Sequence, residues 1–78
     1  MVRLHLTFPE HLIDEPVIWR FGQEFGLEFN IARANVDATT AWVILDVDAD
    51  PGRADAAAAW FSERGIKVDR LPDEEDRR

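Results

Sequence analysis

The hydrophobic period of this chain changes from two residues to about 3.6 and back again, twice over, and that order of periods leaves few folds open. Val2-Arg3-Leu4-His5-Leu6-Thr7-Phe8 alternates strictly, so it predicts a half-buried strand, which Pro9 ends. Asp14-Glu15-Pro16 predicts a helix start, with an Asp to cap the free amides and Pro in the first turn. Val17, Ile18, Phe21 and Phe25 then share one helical stripe; Gly22 stands at its margin, where a close helix-to-sheet approach suits it, and Gly26 closes the helix. Leu27 to Val36 predicts a second strand, Asp37-Ala38-Thr39-Thr40 a turn, and Ala41 to Val47 a third strand with apolar residues on both faces, hence a central one. Asp50-Pro51 opens a second helix running through Arg64, with Ala54, Ala57, Ala58 and Phe61 on one stripe. Gly65 stops it before a fourth alternating strand, Ile66 to Leu71.

A β-α-β-β-α-β order in so short a chain predicts an α+β, ferredoxin-like domain over residues 1–71, with both helices on one face of a four-stranded antiparallel sheet. Right-handed crossovers give the strand order 4-1-3-2. The second strand is then an edge, and no proline blunts it, so pairing with a second copy is the expected remedy. Residues 72–78, rich in acids, are expected to be a disordered tail.

Seventy-eight residues without a cysteine exclude a disulfide framework, thiol catalysis and a cysteine-held metal cluster, and read as cytosolic. A net charge of −7 with no basic cluster argues against nucleic acid and anionic membranes as partners. No apolar run approaches the roughly 18 to 20 residues of a membrane span, and no export signal is visible. Asp46-Val47-Asp48-Ala49-Asp50 opens like a calcium loop, but Pro51 and Ala57 occupy the positions that need glycine and an acid. His5 and His11 are too few for zinc, and no cofactor is expected. Neither a nucleophile elbow nor a phosphate loop is present, and Phe8-Pro9-Glu10-His11 lacks the arginine-bearing anion loop of acylphosphatases, so no enzyme activity is expected.

What remains is a set of polar residues in an apolar strand. Asn30, Arg33 and Asn35 interrupt the Leu27–Val36 stretch; on an edge strand they are ordinary solvent-facing positions, or amides placed to hold a small zwitterion, with Ile31 packing beneath. Trp42 and Ile44 lie on the sheet face away from the helices and form a candidate interface for a partner. Trp19 and Trp60 fall off the centres of their helical stripes and are expected at the rim.

Three stretches resemble the NIL domain family, best known as the C-terminal regulatory domain of the ATPase subunit of methionine importers. They are Leu4-His5-Leu6-Thr7-Phe8 with Asp14-Glu15-Pro16-Val17-Ile18, Phe25-Gly26 through Asn30-Ile31, and Ala59-Trp60-Phe61 leading to Gly65-Ile66-Lys67-Val68. The resemblance implies a ferredoxin-like fold, a homodimer and methionine bound near the dimer interface, with Asn30 matching the ligand-binding asparagine. The motif here reads Asn30-Ile31-Ala32 where the family has Asn-Ile-Leu, and Thr39-Thr40-Ala41-Trp42 replaces a glycine-containing connection. Since the transporter ATPase is absent from this chain, the expected role is a stand-alone module that binds methionine or a related sulfur compound and acts on a transporter or sulfur-metabolism protein. The alternative is an interaction module that assists sulfur assimilation or homocysteine and methionine synthesis without a ligand of its own.

Overall fold

The computed structural model describes residues 2–71, and the tail expected after Leu71 lies outside them. Strands β1 (Val2–Phe8), β2 (Phe29–Val36), β3 (Ala41–Val47) and β4 (Lys67–Leu71) form one sheet, with α1 (Val17–Phe25) between β1 and β2 and α2 (Pro51–Glu63) between β3 and β4. The sheet order is β2-β3-β1-β4 with every neighbour antiparallel, the order expected from right-handed crossovers. β3 is central, as its hydrophobic pattern predicts, and β2 is an edge, as the crossover order predicts.

Alternation divides the sheet. Leu4 and Leu6 of β1 and Val43, Leu45 and Val47 of β3 face the helices and are buried with Val17, Phe21, Ala57, Trp60, Phe61 and Ile66. Phe21 is the hub: its ring centroid lies 4.9 Å from Phe25, 4.8 Å from Phe61, 5.7 Å from Trp60 and 5.8 Å from Phe29. Ala54 and Ala57 are buried and let α2 lie close to the sheet. Trp60 is not at the rim, as its helical position suggests, but 7% exposed. The ring is long enough to reach across the alanine stripe to Phe21; its indole N–H donates to Glu24 Oε1 at 3.1 Å, and the Arg64 guanidinium covers its face at 3.7 Å.

The two helices begin differently. Asp50 caps α2 as expected, its side chain accepting from the Arg53 amide at 2.8 Å with Pro51 in the first turn. Asp14 does not cap α1. A single 3-10 turn over Glu10–Leu12 takes up part of the connection, Pro16 occupies the cap position, and the helix starts at Val17 with no side-chain cap. Both helices end near a left-handed glycine, Gly26 at φ 63° and Gly65 at φ 88°. Gly22 makes the close approach expected of it, since a Cβ there would stand 3.2 Å from the Phe29 ring.

Candidate functional site

Among the described residues no helix covers the other sheet face, and cross-strand register orders that face into three rows. Residues directly opposite one another share a face. The first row runs Asn30, Asp46, Arg3, Leu71; the second Arg33, Ile44, His5, Asp69; the third Asn35, Trp42, Thr7, Lys67. Asn30, Arg33 and Asn35 therefore project from the same side of β2. Strict alternation forbids that, because Asn30 and Arg33 are three residues apart. The register shifts between Ile31 and Arg33, so Ala32 is an extra residue opposite β3, and this bulge brings Arg33 onto the face of Asn30.

The bulge also shapes the exposed edge. The edge of β2 lacks proline but is blunted at Ala32, because a bulge twists an edge away from further pairing. Ala34 to Val36 beyond it remains regular. Ile31 projects from the opposite side to Asn30, in register with the buried Leu45, and is 50% exposed. It stands beside the edge and is not packed beneath Asn30.

At the centre of the open face, Arg3 Nε donates to Asp46 Oδ1 at 2.7 Å and Arg3 Nη2 to Oδ2 at 2.8 Å. This fork, chiefly through its hydrogen bonds, holds the Asp46 carboxyl below its usual range despite an opposing contribution from burial. Trp42 is half-buried, its ring centroid 5.7 Å from that of His5, and His5 Nδ1 lies 3.9 Å from Asp69 Oδ2. Ile44 is half-buried next to His5. The two interface candidates thus form an apolar strip along β3, flanked by polar side chains.

A second locality lies at the opposite end of β2 from Asn30. A hollow of about 140 Å³ is walled by Phe8, Ile13, Val17, Ile18, Val36, Ala41 and Val43, with Glu15 its only charged wall. It adjoins a wider, open depression lined by Glu10, His11, Ile13, Asp14, Val36, Asp37 and Ala38. Asp37 organises the turn there: its Oδ1 accepts from the Thr40 amide at 2.9 Å, the Thr40 hydroxyl at 2.9 Å and the Thr39 amide at 3.2 Å. Those bonds, led by the Thr40 amide, hold its carboxyl below the ordinary value. Sequence reasoning missed this hollow, because its walls come from four separate segments and only Glu15 among them is polar.

Chemically the locality is acidic. The connection from β1 to α1 carries Glu10, Asp14 and Glu15 and no arginine or lysine, the reverse of an anion loop. Among the described residues no group of three or more histidines and acids is placed to hold a metal ion, and no helix is long and apolar enough to cross a membrane.

The family model described as NIL domain matches residues 2–70. A crystal structure of the C-terminal domain of an ABC transporter ATP-binding protein from Enterococcus faecalis superposes with a TM-score of 0.75 at 16% identity, over 94% of this chain and 86% of that one. At that identity the likeness shows a shared fold. A comparison with curated proteins finds no match.

Proposed function

The chain belongs to the NIL domain family, and on that premise we propose that it is a non-catalytic regulatory module that homodimerises and binds a small amino acid, methionine or a related sulfur compound. The observation that carries the reading is the bulge at Ala32, which gathers Asn30, Arg33 and Asn35 on one side of an unpaired edge strand. Amide side chains offer both a donor and an acceptor, and a zwitterion needs both. The partner is a transporter or sulfur-metabolism protein. The similar fold in the C-terminal domain of a transporter ATP-binding protein supports the first.

A second copy is part of the proposal for a geometric reason. Asn30 and the apolar hollow sit at opposite ends of β2, about 20 Å apart at the ordinary strand rise, too far for one amino acid to touch both. Two-fold antiparallel pairing through the regular Ala34–Val36 half reverses the strand, keeps the uncovered faces of both copies on one side, and brings the Asn30 of the second copy to the Val36 end of the first on that face, so the site is built between copies on the side of the sheet away from the hollow. Calorimetry with methionine on the wild type and on Asn30→Ala tests the contact: a large loss of affinity is expected, and equal heats would remove Asn30. Sedimentation at binding concentrations tests the dimer, and a monomer that binds methionine would exclude it.

One observation favours a second reading. Trp42 and Ile44 are only half covered, on a face that no helix among the described residues reaches, which suits a module that docks on another protein without a ligand. In that case Trp42→Ala abolishes capture of the candidate transporter or sulfur-metabolism protein, while tryptophan fluorescence ignores every amino acid.

A further inference from the structure

We propose that the bare edge of β4, with the groove between it and α2, is a docking site for an extended, acidic segment of another protein, which joins the sheet as a fifth strand. This goes beyond the amino-acid reading above and does not rest on it. β4 is the opposite edge of the sheet from β2, and it stays bare in a dimer paired through β2.

The two edges differ. β2 carries the bulge at Ala32, whereas β4 runs from Lys67 to Leu71 in unbroken register with β1 and contains no proline. Among the described residues β1 is its sole strand neighbour, so alternate residues of β4 point their N–H and C=O groups away from the sheet. Val68 and Arg70 stand opposite the buried Leu6 and Leu4, and so face the helix side. On that side lies an open groove of about 460 Å³. Ala58, Ala59 and Ser62 of α2 form one wall, and Ile66 and Val68 the other; the small side chains of α2 hold it open. A strand laid beside β4 finds ladder partners for its backbone and an apolar recess for every second side chain.

Charge selects the strand. Both ionisable walls of this groove are basic, Lys67 and Arg70, while the depression beside Val36 is lined by Glu10, Asp14 and Asp37. Arg70 shares an exposed contact of 2.5 Å with Asp55, and Lys67 has no acid partner among the described residues. The net charge of −7 does not cancel this local sign, because charges more than about 8 Å away are largely screened at physiological ionic strength. A second copy fits poorly. The register that pairs the whole of β4 with itself centres on Asp69 and sets two carboxylates opposite one another. The edge instead selects a segment with acids opposite Lys67 and Arg70 and a small aliphatic residue opposite Val68.

The experiment titrates the full chain with the capped peptide Val-Glu-Thr-Val-Glu, which meets those requirements when it runs antiparallel to β4. It is expected to bind at millimolar concentration and to shift amide resonances of residues 58–62 and 66–71. The same peptide with lysine for glutamate should bind several-fold more weakly. Lys67 is exposed, so Lys67→Glu is expected to fold and to reverse the preference, weakening the acidic peptide roughly fivefold and strengthening the basic one. N-methylation of alternate residues along the peptide edge that faces β4 should abolish binding, and along the other edge should leave it unchanged. Equal binding of the acidic and basic peptides overturns the proposal, as do equal effects of the two N-methylated forms, shifts centred on β2, or no binding of the acidic peptide at millimolar concentration. Self-association that Lys67→Glu alters also overturns it, since a second copy would then be the occupant. None of these outcomes bears on Asn30 or on methionine, whose calorimetry reads the β2 edge.

Discussion

Replacing Asp46 with asparagine removes one charge from the centre of the open face while preserving size. The carboxylate receives two donors from Arg3, at 2.7 and 2.8 Å, in a planar fork, and the two side chains are only 14% and 18% exposed. Exposed ion pairs contribute about 0–1 kcal/mol, but bonds to a charged group contribute about 1.5–3 kcal/mol. This largely covered, bidentate pair belongs at the lower end of the second range, so Asp46→Asn should cost about 1.5–2 kcal/mol. For a domain of this size that lowers Tm by roughly 8–12 °C.

The same bonds depress the carboxyl pKa, so the carboxylate's contribution is complete above the unfolded value near 3.8 and fades as pH falls through the folded value. Urea unfolding of both proteins at pH 7 and at successively lower pH reads the gap directly. It should be full at neutral pH and shrink below about pH 4. Equal stability at pH 7, or a gap of constant size throughout the acid range, would refute the reasoning.

Asp50→Ala removes the α2 cap and should cost about 1 kcal/mol by urea denaturation, with the slope of the transition unchanged. Gly22→Leu pushes side-chain atoms into the Phe29 ring, 3.2 Å from where even a Cβ would stand, and should cost about 1–3 kcal/mol. Gly65→Ala forces φ 88° on a residue with a Cβ and should destabilise by about 1–2 kcal/mol, visible as a lower Tm in calorimetry. Deleting Ala32 restores strict alternation without moving Asn30, Arg33 or Asn35 to the other face. The deletion variant should fold and self-associate more readily in sedimentation, and failure to fold would show that the bulge is required by the sheet.

Features set by neighbours in sequence were legible. Asp50-Pro51 and Gly65 bracket α2 because caps act over a few residues, and alternation in β1 and β3 fixes which side chains reach the core. The strand order followed from handedness. What escaped depends on partners distant along the chain. Ala32 becomes a bulge only once β3 supplies the register, and three polar residues in β2 looked irregular for want of it. Arg3 and Asp46 sit unremarkably in two alternating strands until pairing sets them opposite. Trp60 was misplaced because a stripe of helical angles ignores how far a large ring can reach. Asp14 carried a local cap signal that lost to a 3-10 turn, and with it went any hint of the adjoining hollow.

The position of β1 between β3 and β4 bears on how the chain assembles during synthesis. β1 is made first, yet each of its neighbours is made much later: Leu4 pairs with Leu45 and, across the other edge, with Arg70. Until β3 has emerged, a strand bearing Leu4, Leu6 and Phe8 has neither ladder partners nor a helix pair to cover it. The earliest hairpin available is β2–β3, so the sheet grows from that edge inward and closes only when β4 arrives.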